Sequence, residues 1–215
     1  MDLLIFDLDG TLIDSRLDLA NSVNATRTHM GYPPLANELV YSYVGNGAPV
    51  LIRRALGEQA PESEVQTALA YFLDYYRDHM LDYTVLYPGV REALDRLRAC
   101  SIPMAVLTNK PVRISRAIVE GLGLGEHFAR VYGGNSFEFK KPHRIGIDTL
   151  IAECGSTRDR TIMVGDSAVD VQTARNSGVQ ACGVTYGFQP ETFAEWPPDF
   201  LVERLEELVD RVSIV

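Results

Sequence analysis

Leu3-Leu4-Ile5-Phe6-Asp7-Leu8-Asp9-Gly10-Thr11-Leu12 joins an apolar run directly to a pair of carboxylates spaced i, i+2, and then to a glycine and a threonine. Leu3 to Phe6 has the length of a short strand, and its unbroken apolar character predicts burial on both faces. Ending such a strand on charge costs free energy unless the charges are paired or bind a metal, so Asp7 and Asp9 are read as working residues. A strand that ends in Asp is ordinary by itself. The Asp-x-Asp-Gly-Thr pattern is more demanding, because it places its acids in a tight loop at a strand end.

Beyond Thr11 the pattern changes. From Asp14 to about Tyr83 there is no strand-like run, and helical spacing recurs instead. Asp14 or Ser15 can cap a helix carrying Leu17, Leu19, Ala20, Val23 and Ala25, which stops near Gly31 and Pro33-Pro34. Further helices are predicted over about 36–44, 48–56 and 61–79, with Pro49 tolerated in a first turn and Gly45 and Gly57 closing two of them. The second half alternates. Strands are predicted over 102–107, 130–133, 161–164, 180–184 and 199–202, and helices over 112–122, 145–154, 168–177 and 205–212. Alternation of this kind implies an α/β fold with a doubly wound, Rossmann-like parallel sheet. The first strand belongs to that sheet, so the division expected is a core of residues 1–14 plus 84–215 and an inserted all-helical domain of residues 15–83.

The sequence is 215 residues long with a formal charge of -9. That charge argues against sequence-independent nucleic-acid binding and against an anionic membrane surface. The three cysteines, Cys100, Cys154 and Cys182, stand far apart and are expected as free thiols in a reducing cytoplasm. No apolar run reaches membrane-spanning length, and no export signal is recognisable. The expected partner is a small molecule, and the expected state is a monomer or a homodimer.

In a doubly wound sheet, ligands sit beyond the carboxyl ends of the strands. The residues found there are Asp7 and Asp9, then Thr108-Asn109-Lys110, then Lys140-Lys141-Pro142, then Gly165-Asp166-Ser167 with Asp170. These four groups, in this order, resemble the motifs of the haloacid dehalogenase superfamily, and the resemblance covers essentially the whole chain. A carboxylate can accept a phosphoryl group and so divide a hydrolysis into two easier steps, which makes Asp7 the candidate nucleophile. Asp9 can protonate a leaving alkoxide and then deprotonate water, the role the resemblance also implies. A phosphate ester brings negative charge to a site already rich in acids, so a divalent cation is expected. Mg2+ suits the candidate ligands Asp7, the backbone carbonyl of Asp9, and Asp166. Asp170 lies four residues after Asp166 at the start of a helix and is expected to hold a metal-bound water or Lys141.

Thr108 and the backbone amides of Leu8, Asp9 and Asn109 are candidates to bind phosphoryl oxygens, with a lysine to balance charge. Resemblance to the third motif favours Lys141, leaving Lys140 to point to solvent. His29, His79 and His127 are expected at surfaces or helix ends. Tyr41, Tyr43, Phe72, Tyr75 and Tyr76 are expected to pack the helical insert.

The insert looks like the cap of this superfamily, which closes over the site and contributes specificity. Its turn, Val44-Gly45-Asn46-Gly47-Ala48, offers flexible backbone and amides at a helix start, and Arg54 follows on that helix. Gly45, Asn46, Gly47 and Arg54 are therefore candidate substrate contacts. This turn, with Asp18-Leu19-Ala20 before it and Arg54-Ala55-Leu56 after it, is similar to bacterial phosphoglycolate phosphatases. The resemblance implies hydrolysis of 2-phosphoglycolate to glycolate, with the substrate carboxylate meeting the cap. Asn135 and Arg144 depart from that family's usual Asp and Pro.

Related chemistries differ at nameable residues. Dehalogenases lack the acid equivalent to Asp9. Phosphonate-cleaving relatives need a cap lysine, whereas the only lysines here are Lys110, Lys140 and Lys141. Two readings stay open: a phosphatase acting on a sugar phosphate, nucleotide or pyrophosphate, and a phosphomutase resembling beta-phosphoglucomutase.

Overall fold

The computed structural model describes residues 1–212. Strand β1 (Leu3–Phe6) is wholly buried and runs into a turn in which the amides of Thr11, Leu12 and Ile13 all donate to the Leu8 carbonyl. A two-residue strand β2 (Ile13–Asp14) follows, and then four helices: α1 (Arg16–His29), α2 (Asn37–Tyr41), α3 (Ala48–Leu56) and α4 (Glu62–His79). The chain returns through β3 (Val85–Leu86), which pairs with β2 in a small sheet of its own. Each is only two residues long, too short for periodicity to reveal, and the sequence predicts plain linker there. Helix α2 also ends earlier than the expected residue 44, because the chain after Tyr41 tightens into i→i+3 turns, with Tyr43 N–H on the Val40 carbonyl and Val44 N–H on that of Tyr41.

Helix α5 (Val90–Ala99) follows, an element the sequence reading above omits. Its buried residues, Val90, Ala93, Leu94 and Leu97, fall at helical steps between charged neighbours, and Gly89 precedes them in the left-handed conformation. The remainder alternates: β4 (Met104–Leu107), α6 (Val112–Gly121), β5 (Arg130–Tyr132), α7 (Ile145–Cys154), β6 (Thr161–Gly165), α8 (Ala168–Ser177), β7 (Gln180–Val184), β8 (Phe200–Val202) and α9 (Leu205–Val212). Short 3-10 turns precede β5, β6 and β8.

Six strands form one parallel sheet in the order β5-β4-β1-β6-β7-β8. The chain leaves β1 to build β4 and β5 on one side, then crosses back to build β6, β7 and β8 on the other. The order therefore reverses at β1, where crossovers depart in opposite directions and a crevice opens at the carboxyl ends. Strands β1, β4 and β6 are buried along their whole length, as a sheet covered by helices on both faces requires. On one face Leu3, Ile5, Ala105, Leu107 and Met163 join Ile147 and Leu150 of α7 and Val171 and Ala174 of α8 in a continuous core.

The chain divides into two compact units, Met1–Asp14 together with the chain from Leu86 onward, and Ser15–Val85. The first is the sheet with its helices. In the second, α1 and α3 both pack on α4, and Leu19, Val23, Leu51, Ile52, Phe72 and Tyr76 are buried. Asp18, buried near the start of α1, accepts hydrogen bonds from the amides of Tyr83 and Thr84 and from the Thr84 hydroxyl, which ties the two ends of this unit together. His127 ends a 3-10 turn as expected but is buried rather than at the surface, with Nε2 2.7 Å from Asp95 Oδ1. Among the described residues no helix is long and apolar enough to cross a membrane.

Candidate active site

Parallel register brings the strand ends together. Phe6 is level with Val106 of β4 and Val164 of β6, so Asp7, Thr108 and Asp166 lie just beyond neighbouring strand ends. Backbone hydrogen bonds hold the chain there, with Asp7 N–H on the Val164 carbonyl at 2.9 Å and Thr108 N–H on the Tyr132 carbonyl at 3.0 Å. One oxygen from each of Asp7, Asp166 and Asp170 lies within 4.8 Å of the other two.

Lys141 sits among these acids, buried, with Nζ 2.6 Å from Asp170 Oδ1 and 3.0 Å from Asp7 Oδ1. Burial alone would push its ammonium toward neutrality, but Asp170 and Asp7 outweigh it and hold Lys141 above the usual lysine range. Asp170 is fixed from its own helix: Ser167 caps α8 and donates through Oγ to Asp170 Oδ2 at 2.9 Å, and Ser167 N–H donates to the same oxygen at 3.2 Å. Burial raises Asp7 to about 6 against the pull of Lys141, and the Asp170 charge adds to the rise. Asp166 is pushed well above the ordinary carboxyl range, first by burial and then by the Asp170 and Asp7 charges. Three desolvated carboxylates thus face one ammonium. Such a donor set, hard oxygens with excess negative charge, fits a divalent cation of the Mg2+ type.

Asp9 is held separately. Lys110, buried, places Nζ 2.9 Å and 3.0 Å from the two Asp9 oxygens. Thr108 and Asn109 are both buried. Asn109 Nδ2 donates to the Lys141 carbonyl at 3.2 Å and so links the second and third motifs. The Leu8 amide donates to Asp7 Oδ1 at 2.7 Å. Lys140 is exposed, and so is His143, whose ring leans on Phe139. Asn135 accepts from the amide of Val112 at 2.9 Å and thereby caps α6.

A fifth segment, absent from the sequence reading, supports the site from the end of β7. Phe188 N–H donates to Asp166 Oδ2 at 2.6 Å, and Tyr186 Oη donates to the Thr11 carbonyl at 2.9 Å. Close approach here requires glycine. A Cβ on Gly187 would lie 2.2 Å from Asp166 Cβ and 2.5 Å from the Gly10 carbonyl oxygen, and one on Gly10, at φ +80, would lie 2.1 Å from Asp166 Oδ2. The Tyr186-Gly187-Phe188 run is the available signal, since a glycine three residues past the end of a buried strand in a doubly wound sheet marks backbone near the ligand edge.

Within the helical unit, Gly45 and Gly47 both adopt positive φ, and Gly47 occupies the N-cap of α3. Arg54 is half-buried and donates from Nη1 to the Tyr43 carbonyl at 3.1 Å, which fastens α3 to the turn before it.

Residues 4–184 match the haloacid dehalogenase-like hydrolase family. A phosphoglycolate phosphatase of Chromobacterium violaceum is 40% identical over 209 residues, covering 95% of this chain and 93% of the relative. One from Vibrio parahaemolyticus is 37% identical over 99% of this chain and 96% of its own. A crystal structure described as a predicted phosphoglycolate phosphatase from Haemophilus somnus superimposes with a TM-score of 0.93 at 32% identity, covering 98% of this chain and 97% of that one. A doubly wound sheet with acids converging at its switch point, matched over nearly its full length, makes this chain a member of the haloacid dehalogenase-like hydrolase family.

Proposed function

We propose that the chain is a Mg2+-dependent phosphatase that hydrolyses a small phosphate monoester, 2-phosphoglycolate, through an aspartyl-phosphate on Asp7. The observation that carries this reading is the buried ring of Asp7, Lys141, Asp170 and Asp166, with Asp9 two residues from the nucleophile. Asp7, Asp166 and the Asp9 carbonyl would hold the cation, which when bound neutralises phosphate charge and draws electron density from phosphorus.

The side chains divide the remaining work. An Asp7 carboxylate oxygen forms a bond to phosphorus as the ester P–O bond breaks, and Asp9 gives its proton to the departing oxygen. Water then attacks the phosphoryl group and loses a proton to Asp9, and Asp7 leaves as a carboxylate. Lys141, aimed by Asp170, balances the charge on the transferring group, and Thr108 with the amides of Leu8, Asp9 and Asn109 donates to its oxygens. The helical unit acts as a cap, with Gly45, Asn46, Gly47 and Arg54 receiving the substrate carboxylate. The relatives named phosphoglycolate phosphatase favour this substrate over other esters.

The test is phosphate release, with Mg2+ and with EDTA, from 2-phosphoglycolate, sugar phosphates, nucleotides, pyrophosphate and p-nitrophenyl phosphate. A tenfold or greater preference in kcat/KM for 2-phosphoglycolate, about 1.4 kcal/mol of transition-state discrimination, supports the named substrate. A flat profile removes it and leaves the phosphatase. Isomerisation of a sugar phosphate without release identifies a phosphomutase instead.

A further inference from the structure

Lys110 has no part in the chemistry assigned above, yet it lies at the site. Its backbone is anchored on both sides, with its amide on Thr108 Oγ1 at 3.3 Å and its carbonyl accepting from Gly134 N–H at 2.9 Å. From that fixed base its side chain crosses from the end of β4 to the end of β1 and reaches both Asp9 oxygens, at 2.9 Å and 3.0 Å. The lysine side chain is 4% exposed and that of Asp9 14% exposed, so solvent screens this pair little. An acidic chain with only three lysines therefore spends two of them on the first motif, Lys141 on Asp7 and Lys110 on Asp9.

We propose that Lys110 is the positioning residue for Asp9, holding its carboxyl group in the one orientation from which a proton can pass to the leaving oxygen. This rests on the reading of Asp9 as the acid and base. The physical need is clear. An Asp on a loop has three staggered χ1 wells and a nearly free carboxyl torsion, and general acid catalysis requires heavy atoms within about 2.6–3.2 Å of each other. A displacement of about 1 Å can cost about 10²-fold in rate. An ammonium straddling both oxygens selects one rotamer. Its flexible stem also lets it stay on one oxygen when the other takes up a proton, which a rigid guanidinium fork would resist. When the ester bond breaks, that proton moves from Asp9 to the departing oxygen and the Lys110 ammonium again bridges both carboxylate oxygens, so Lys110 itself neither gains nor loses a proton.

The experiment compares kcat/KM for 2-phosphoglycolate, whose alkoxide needs a proton to leave, with that for p-nitrophenyl phosphate, whose phenolate leaves as an anion. This parameter covers only the steps up to transfer onto Asp7, so the later hydrolysis does not enter. Lys110→Met is expected to lower the alkyl-to-aryl ratio at least tenfold, and Lys110→Gln, which keeps an uncharged NH2 donor group, to lower it less. In an Asp9→Asn background, where the ratio is already low, adding Lys110→Met is expected to change it less than threefold. Equal losses on both esters would show a merely structural lysine and overturn the proposal. A loss on 2-phosphoglycolate that persists undiminished in Asp9→Asn would also overturn it, because Lys110 would then be contacting substrate directly. If Lys110→Met does not fold, Lys110→Gln is read by the same ratio. A wild-type protein that releases phosphate from neither ester would remove the functional reading and this proposal together, whereas wild-type turnover with an unmoved ratio removes only this one.

Discussion

Asp7 combines a chemical role with a cost to the fold. Burial raises its carboxyl to about 6, so near neutral pH the folded protein carries a charge its surroundings disfavour, only partly offset by Lys141. Asp7→Asn removes both. Phosphate release is expected to fall by roughly 10⁴-fold or more, the scale on which loss of a covalent nucleophile acts, while the melting temperature in EDTA at pH 7.5 does not drop below that of the parent. Appreciable turnover by a purified, folded Asp7→Asn protein would sink the nucleophile assignment. The cysteines give a second check at this scale. Burial pushes the Cys182 thiol up to about 12, so at pH 8 only about one molecule in 10⁴ is thiolate, and Cys182 is also shielded. Cys100 is exposed. Labelling with a disulfide reagent at pH 8 is expected to modify Cys100 first and Cys182 only after denaturant is added, as peptide mapping would report. Rapid labelling of Cys182 in the folded protein would contradict its packing between β6 and β8.

At the scale of elements, the site is a set of strand ends, and β7 contributes through backbone rather than side chain. Gly187→Ala places a methyl group against Asp166 and the Gly10 carbonyl, so the loop must shift and the Phe188 amide must move off Asp166. Loss of an outer partner of this type weakens metal binding by about 10–100-fold. The expected outcome is a Mg2+ half-saturation raised in that range, with the far-UV circular dichroism spectrum retained; an unchanged Mg2+ requirement would count against the loop as a support for Asp166. This loop also marks where sequence reading stops. Asp7, Asp9 and Asp166 are legible because ionisable side chains at the ends of buried strands are costly without a task, whereas Asp170 is read from its spacing to Asp166 and Lys141 from resemblance to the third motif. An amide hydrogen bond from Phe188 and the bare backbone of Gly187 leave no such signature. Lys110 was visible as a residue, but its pairing with Asp9 depends on β4 lying beside β1, a fact of topology rather than of spacing. Helix α5 is a different case, since Val90, Ala93, Leu94 and Leu97 carry the pattern openly.

For the whole molecule, the acidic cluster couples stability to pH and to divalent cation. Asp7 titrates near 6 when folded against an ordinary value of 3.8, and Asp166 is shifted in the same direction. The folded state therefore binds protons more tightly than the unfolded chain between these values. Stability falls as pH rises through that window, the Asp7 contribution levels off above about 6, and the Asp166 shift acts in the same direction, the reverse of the salt-bridged carboxylate case. A cation binds only the deprotonated carboxylates, so its stabilising effect grows over the same range. At a hundred times its dissociation constant it would add about 2.7 kcal/mol. For a chain of this size that corresponds to a rise in melting temperature of roughly 5–10 °C. The expected result is a shift of that order on adding Mg2+ at pH 7.5 and a much smaller one at pH 5, measured at fixed ionic strength with Na+ as the control. Equal shifts at both pH values would mean that the cation acts elsewhere than on these carboxylates. Asp166→Asn should remove the pH 7.5 shift while leaving the metal-free protein as stable as its parent or more so.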